Sequence, residues 1–293
     1  MSTQPLTLVV VGLGLIGTSV ALAARRRWPS LRIAGVDHPE KLLNHIVAGV
    51  CDLASPDLSV VTDADVIILA TPVATILNTV TDIVRLRSAR TLVTDVGSTK
   101  RAIVAAFRKA GCETFVGGHP IAGGEIGGAL AARADLFDGR PWLLIGTGDT
   151  PLDARAEALI RDLGALPVWT DAETHDRVMA AVSHLPQVVA SALMVTAADA
   201  AGAGGLSWAG SGLRDTTRLA GSASSLWESV LATNSDELQP LLLRLSEELR
   251  LMADHLAEPT AVRRLFDAAN LSRGALEASR SDAIDKPKVT DVT

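Results

Sequence analysis

The stretch that most restricts the fold is Leu6–Val11, a nearly continuous apolar, β-branched run that passes straight into Gly12-Leu13-Gly14-Leu15-Ile16-Gly17. The helical stretch Thr18–Arg27 follows. A run without alternation suits a strand buried on both faces of a parallel sheet. Gly12 allows the tight turn, Gly14 lets backbone N–H groups approach a pyrophosphate, and Gly17 lets helix and strand pack closely. The helix start, with Leu15 and Ile16, then offers unpaired N–H groups and a positive dipole end to phosphates.

Such a glycine turn also occurs in other α/β proteins, so the surroundings decide. A second strand, Arg32–Val36, ends in Asp37, 20 residues past Gly17. A carboxylate at that spacing accepts hydrogen bonds from the ribose hydroxyls of a dinucleotide. Asp37 repels a 2′-phosphate, and His38-Pro39 offers no arginine to receive one, so NAD is favoured over NADP. The plainer alternative for Asp37 is a solvated loop carboxylate.

The alternation continues with strand Asp65–Ala70, a turn at Thr71-Pro72 and a helix to about Arg85. Strand Thr91–Thr94, the turn Asp95–Ser98, helix Thr99–Ala110 and strand Thr114–Val116 come next, their strand ends expected on the ligand-binding carboxyl edge. Trp142–Ile145 and Leu166–Trp169 read as two further strands around helix Leu152–Leu163. The expectation is a Rossmann-type, doubly wound parallel sheet over residues 1–170.

After Val116 the chain reads Gly117-Gly118-His119-Pro120, then Ala122-Gly123-Gly124-Glu125. Pro120 biases His119 toward an extended backbone. An imidazole titrates near neutrality and can take a proton in a transition state. His119 is therefore read as the base of a dehydrogenase, the alternative being a histidine that satisfies a loop carbonyl. Ser98 is a candidate hydroxyl partner on the neighbouring strand end, although serine before a helix is also a favoured N-cap. The six histidines are dispersed, so no metal site is expected. No GxSxG elbow points to a hydrolase.

From about Asp171 the period changes. Val178, Val182, Leu185, Val189, Leu193 and Thr196 follow three- and four-residue spacing, as on one face of a long helix. Pro186, in Ser183-His184-Leu185-Pro186-Gln187, should kink it. His184 on a helix is as readily a core histidine as a ligand. Arg214 and Arg218 are four apart and would share a helix face. A guanidinium suits capture of a carboxylate, but Asp215 is an equally near partner. Residues 171–279 are expected to form an all-helical substrate and dimerisation domain, and 280–293 a frayed tail.

The net charge of −6 gives no electrostatic footprint for nucleic acid or an anionic membrane. No uninterrupted run approaches the roughly 20 apolar residues of a membrane span. With no signal peptide and only Cys51 and Cys112, a cytoplasmic location is expected.

Taken together, the motifs resemble the prephenate/arogenate dehydrogenase family of tyrosine biosynthesis. The matching pieces are Gly12–Gly17, Asp37, Leu69–Pro72, Thr94–Lys100, Gly117–Glu125, Leu136–Gly139, Ser183–Pro186, Arg214–Ala220 and Trp227. The resemblance covers roughly residues 6–279. It implies a Rossmann domain followed by an all-helical dimerisation domain, a homodimer, and NAD-dependent oxidative decarboxylation of prephenate or arogenate. Carried over, His119 accepts the hydroxyl proton, Ser98 orients it, and Arg218 binds the ring carboxylate. Ser183, His184 and Trp227 line the pocket, and Thr71 and Pro72 border the cofactor. Glu125, Arg214 and Asp215 form an ionic gate, and because the family's helical domains intertwine, the resemblance implies that Arg214 serves the partner subunit's site. Two departures bear on substrate choice. Gln187 stands where many members have histidine, and it can serve either a keto acid or an ammonium side chain. Gly124 stands where some members carry a small hydroxyl residue. With the chain ending at Thr293, tyrosine inhibition is expected at the active site. The chief rival is a β-hydroxyacid- or imine-type oxidoreductase, which would use a lysine or aspartate from the helical half. No lysine lies between Lys109 and Lys286. A non-enzymatic NAD-sensing module is disfavoured by His119, Ser98 and Arg218 together.

Overall fold

The computed structural model describes residues 6–42, 49–123 and 128–284. Its first half is β1 (Thr7–Val11), α1 (Leu15–Arg27), β2 (Arg32–Val36), α2 (Pro39–Leu42), β3 (Leu53–Ser55), β4 (Val66–Leu69), α3 (Val73–Leu86), β5 (Leu92–Asp95), α4 (Arg101–Lys109) and β6 (Phe115–Pro120). β7 (Pro141–Ile145), α5 (Pro151–Asp162) and β8 (Leu166–Thr170) complete the sheet. The strand order is β3-β2-β1-β4-β5-β6-β7-β8.

β3 through β6 are parallel, whereas β7 pairs antiparallel to β6, with β8 parallel to β7. The sheet is thus not parallel throughout, as read from sequence. A parallel neighbour needs a crossover, usually helical. Between β6 and β7 the described residues hold only a short 3-10 turn, Ala129–Ala131, so the chain re-enters from the carboxyl end.

The parity of β1 shows why this sheet forms. Leu8 and Val10 join one apolar cluster, with Val20, Ala24, Leu159 and Ile160 of α1 and α5. Val9 and Val11 join the other, with Ile76, Val80, Ile103 and Phe107 of α3 and α4. A strand with both faces covered needs no polar face.

Two compact units divide the chain, Met1–Leu238 and Gln239–Thr293. The first holds the sheet and also α6 (Ala172–Met179), a π-turn at Ala180–His184, α7 (Leu185–Leu206), α8 (Ser211–Thr217), a 3-10 turn at Arg218–Gly221 and α9 (Ser224–Thr233). α10 (Ser235–Asp254) crosses the division, and α11 (Pro259–Ile284) runs into the segment expected as a tail. The expected distortion at Pro186 takes the form of the π-turn, where Leu185 N–H bonds the carbonyl of Ala180. Widening the turn just before Pro186 accommodates its missing donor. The run Ala172–Leu206 is long and apolar enough, by length and composition, to cross a membrane. Glu173, Asp176, Arg177 and Asp199 interrupt it, so it is not an uninterrupted apolar run.

Candidate active site

At the carboxyl end of β1 the turn is built for close approach. Gly12 has φ +100°, and a Cβ on Gly17 would lie 1.9 Å from the Gly12 carbonyl oxygen, so neither tolerates a side chain. At Gly14 a Cβ would meet nothing within 4 Å. Gly14 also caps α1 without a side-chain hydrogen bond, which leaves the first amides around Leu15 and Ile16 free to face a phosphate. Asp37 is fixed at the end of β2 by Leu13 N–H at 2.7 Å and His38 N–H at 2.7 Å, with Lys41 Nζ at 3.4 Å. Across the turn, Pro72 caps α3. The buried Thr71 hydroxyl has no partner among the described residues. Open space, free amides, a held carboxylate and an orphaned hydroxyl fit a dinucleotide.

Two strands along, a buried ion pair sets the backbone that carries His119. Asp95, at the end of β5, pairs with Lys100 Nζ, and both side chains are fully buried. Asp95 Oδ1 accepts from Gly118 N–H at 3.0 Å, and Lys100 Nζ donates to the Gly118 carbonyl at 2.6 Å. Both polar groups of the residue preceding His119 are therefore fixed. Burial pulls Lys100 below the ordinary lysine range, and Asp95 opposes that shift. Gly118 must be glycine, because a Cβ there would lie 2.5 Å from the Asp95 carbonyl oxygen.

His119 is half-buried on β6, and its Nδ1 lies 2.9 Å from His175 Nε2. His175 Nδ1 in turn lies 2.7 Å from Asp176 Oδ1. The Asp176 carboxylate also accepts from Lys100 N–H at 2.7 Å and from Arg101 N–H at 3.0 Å. It thereby caps α4 from a distant helix, at the end where a carboxylate is favoured. Ser98 does not take the N-cap role left open for it, since α4 has Lys100 at that position and no side-chain cap of its own. Burial foremost, with the Lys100 charge acting in the same direction, holds His119 well below the usual imidazole value.

Asn234 closes the cluster. Its Oδ1 accepts from Arg101 Nη2 at 3.0 Å, so its Nδ2 is the donor to the Asp176 carbonyl at 2.8 Å and to His184 Nδ1 at 3.1 Å. That fixes neutral His184 with its proton on Nε2. The ring is buried edge-on to Trp227, with centroids 6.0 Å apart. Burial lowers its pKa to about 4, against the opposing pull of Asp176.

The remaining sequence-predicted residues spread around this cluster. Ser98, half-buried, follows β5 on the strand adjoining that of His119, but the ring's hydrogen-bond partner among the described residues is His175. Ser183 lies in the π-turn beside His184. Gln187 is buried, with Nε2 donating to the Leu219 carbonyl at 2.8 Å and Oε1 accepting from Ser222 Oγ at 3.4 Å. Both ends of its amide thus hold the turn that begins at Arg218. Arg214, Asp215 and Arg218 are exposed. The single helix face expected for the two arginines is not formed, because α8 ends at Thr217 and Arg218 opens the 3-10 turn. Gly124 and Glu125 lie outside the described residues. Among the described residues no cluster could hold a metal ion. Sequence reading missed His175, Asp176, Asn234 and the role of Lys100. The one local signal was the adjacent His175-Asp176 pair just inside a helix capped by Asp171.

Two family models match the chain: prephenate dehydrogenase, nucleotide-binding domain, over residues 20–165, and prephenate dehydrogenase, dimerization domain, over residues 171–266. The chain is 32% identical to the prephenate dehydrogenase of Lactococcus lactis subsp. cremoris, over 92% of this chain and 77% of that protein. Among solved structures, it resembles the Aquifex aeolicus prephenate dehydrogenase in complex with hydroxyphenyl propionate and NAD+. There the TM-score is 0.84 at 28% identity, covering 94% of this chain and 99% of that one. For Synechocystis arogenate dehydrogenase the TM-score is 0.75 at 30% identity, covering 92% and 99%.

Proposed function

This chain belongs to the prephenate dehydrogenase family, and on that premise we propose that it decarboxylates and oxidises prephenate, arogenate or both in the making of tyrosine. NAD, when bound, supplies the hydride acceptor. The residues to hold it are Gly12, Gly14, Leu15, Ile16, Gly17, Asp37, Thr71 and Pro72. Asp37 would meet the ribose hydroxyls, and the α1 amides the pyrophosphate.

The observation that carries the reading is His119, at a strand end with its backbone fixed by Asp95 and Lys100 and one ring nitrogen already engaged. Its other nitrogen takes the proton of the ring hydroxyl as the ring carbon gives up hydride. Loss of the ring carboxylate as carbon dioxide sends its bonding electrons into the ring, which becomes aromatic, and the proton returns to the ring oxygen. A base kept neutral by burial is ready for that proton at physiological pH. Ser98 would orient the hydroxyl and Arg218 would bind the ring carboxylate. Ser183, His184 and Trp227 would line the pocket, and Glu125, Arg214 and Asp215 would gate it.

Gln187, placed near the substrate side chain by the family resemblance, would act through the turn it holds. Homodimer contacts through residues 171–279 are supported by the dimerization-domain description matched over residues 171–266, while their substrate-binding role rests on the family resemblance. Exposed Val182, Leu193 and Val195 offer such contacts apolar surface on more than one side of the helix. A cytoplasmic location accords with the free cysteines Cys51 and Cys112.

NADH formation from prephenate and from arogenate, each with NAD and with NADP, tests the reading. His119→Asn should keep NAD binding and lose turnover by roughly 10²–10⁴-fold. Near-normal turnover of that variant would remove His119 from the chemistry. No NADH from either substrate would overturn the assigned reaction.

A further inference from the structure

His119 does not stand alone against the sheet. Its Nδ1 and His175 Nε2 are 2.9 Å apart, a distance that requires one hydrogen between them. Which ring holds it follows from the far end of the chain. Asp176 Oδ1 faces Lys100 N–H and His175 Nδ1, and its Oδ2 faces Arg101 N–H and, at 3.3 Å, Arg101 Nε. Lys100 N–H, Arg101 N–H and Arg101 Nε can only donate, so the carboxylate is held ionised and acceptor-only. Its pKa is lowered in spite of burial, by the hydrogen bonds from His175, Arg101 and Lys100. His175 must then carry its proton on Nδ1, and that tautomer of a neutral ring presents a lone pair at Nε2. That lone pair accepts the Nδ1–H of His119 and leaves His119 Nε2 as the basic nitrogen.

We propose that His175 and Asp176 are positioning residues that set the tautomer of His119 and stabilise the imidazolium it becomes. The inference rests on the reading of His119 as the base. When Nε2 takes the substrate's hydroxyl proton, the new charge is shared through Nδ1–H with His175 Nε2, and the Asp176 carboxylate faces it from behind. No further atom need move, and the proton leaves by the route it came. The logic is that of a base oriented by a third group, here with a second imidazole between base and carboxylate. The burial of His175 and Asp176, at 2% and 0% exposure, keeps water from competing for either bond.

The test compares His175→Leu, which removes the acceptor, with His175→Gln, whose side-chain carbonyl can still accept from His119. The groups facing His119 are His175 on α6, His184 in the π-turn and Lys100 at the start of α4, with Asp95 and Asp176 behind them. Without its acceptor, protonated His119 is less stable. The acidic limb of kcat/KM for prephenate should therefore move to lower pH in His175→Leu. Its plateau kcat should fall by about 10²-fold, as when an outer partner is removed from a working histidine. KM and NAD affinity should stay within about threefold, a split that lost folding would not produce. His175→Gln should keep more of kcat, about a tenth, with a smaller shift of the limb. It also serves as the readable variant if His175→Leu does not fold.

A limb that stays in place or moves to higher pH in the folded variant would overturn the proposal, as would a loss confined to KM. His119→Asn run in parallel separates the two readings. An active His119→Asn defeats the base assignment and the relay with it. An inactive His119→Asn beside a fully active His175→Leu defeats the relay alone.

Discussion

The sheet and the helical run Ala172–Leu206 use burial in opposite ways. In β1 each of Leu8, Val9, Val10 and Val11 is buried, alternate residues serving opposite apolar clusters. Along the helical run the buried positions include His175, Asp176, His184 and Gln187, while Val182, Leu193 and Val195 face outward. A buried polar group is tolerated only with its hydrogen bonds made. Here His175 and Asp176 bond each other, His119 and the start of α4, His184 bonds Asn234, and Gln187 bonds the turn at Leu219 and Ser222. An apolar pattern thus finds the core where the chain supplies both sides of it. Elsewhere it marks a surface, and the buried polar groups mark the site.

The largest test breaks that contrast at its seam, the one charged pair buried at the carboxyl edge of the sheet among the described residues. Lys100→Met removes the cation and leaves the Asp95 carboxylate uncompensated at 0% exposure. Removing one partner of a buried pair costs about 3–5 kcal/mol, to be read from urea unfolding midpoints. The Gly118 carbonyl also loses its donor, so turnover of any folded fraction should fall too. A cost below about 1 kcal/mol would mean that water reaches the pair, and the fixed backbone under His119 would no longer follow.

What could be read in advance divides along the same seam. The Gly12–Gly17 turn, Asp37 and the βα alternation were legible because each is a local pattern whose partners lie within one βαβ unit. The reversal of β7 was not, since strand direction depends on the connection after Pro120 and a short apolar run looks alike either way. Nor was the capping of α4, because Asp176 reaches Lys100 across 76 residues and His119 meets His175 across 56. Spacing arguments placed Arg214 and Arg218 on one helix face, but that required a helix to persist past Thr217. His184 was found in its motif, while its partner Asn234 carried no motif at all.

The next effect sharpens the polar side of the comparison. His184 has a pKa of about 4 in the fold, lowered from 6.5 by burial. Unfolded chains therefore bind a proton there that the folded chain refuses, and stability is lost as pH falls from about 6.5 to about 4. Below that window the loss levels off. The full loss is on the order of 3 kcal/mol at about 1.4 kcal/mol per pKa unit. His119, lowered in the same direction, adds to the same slope. Unfolding free energies of wild type and His184→Asn between pH 7 and pH 4 should converge at the acid end. Parallel curves would show that neutral, buried His184 is not what the fold protects.

The smallest effect tests the apolar side, with one truncation made in both regions. Val10→Ala removes two methyl groups at 0% exposure and should cost about 2 kcal/mol in transfer and cavity terms. Val195→Ala removes the same groups at 61% exposure and should change the folding of a dilute, unassembled chain by no more than about 0.5 kcal/mol. If the exposed apolar side chain of Val195 lies in the contact of a homodimer, that second cost should grow with protein concentration, because assembly is linked to stability by mass action. The Val10→Ala cost should not. Unfolding midpoints at two widely separated protein concentrations, alongside sedimentation, read both. A Val195→Ala cost that stays small at every concentration would leave Val195 uncovered, and a cost equal to that of Val10→Ala throughout would make it part of the chain's own core.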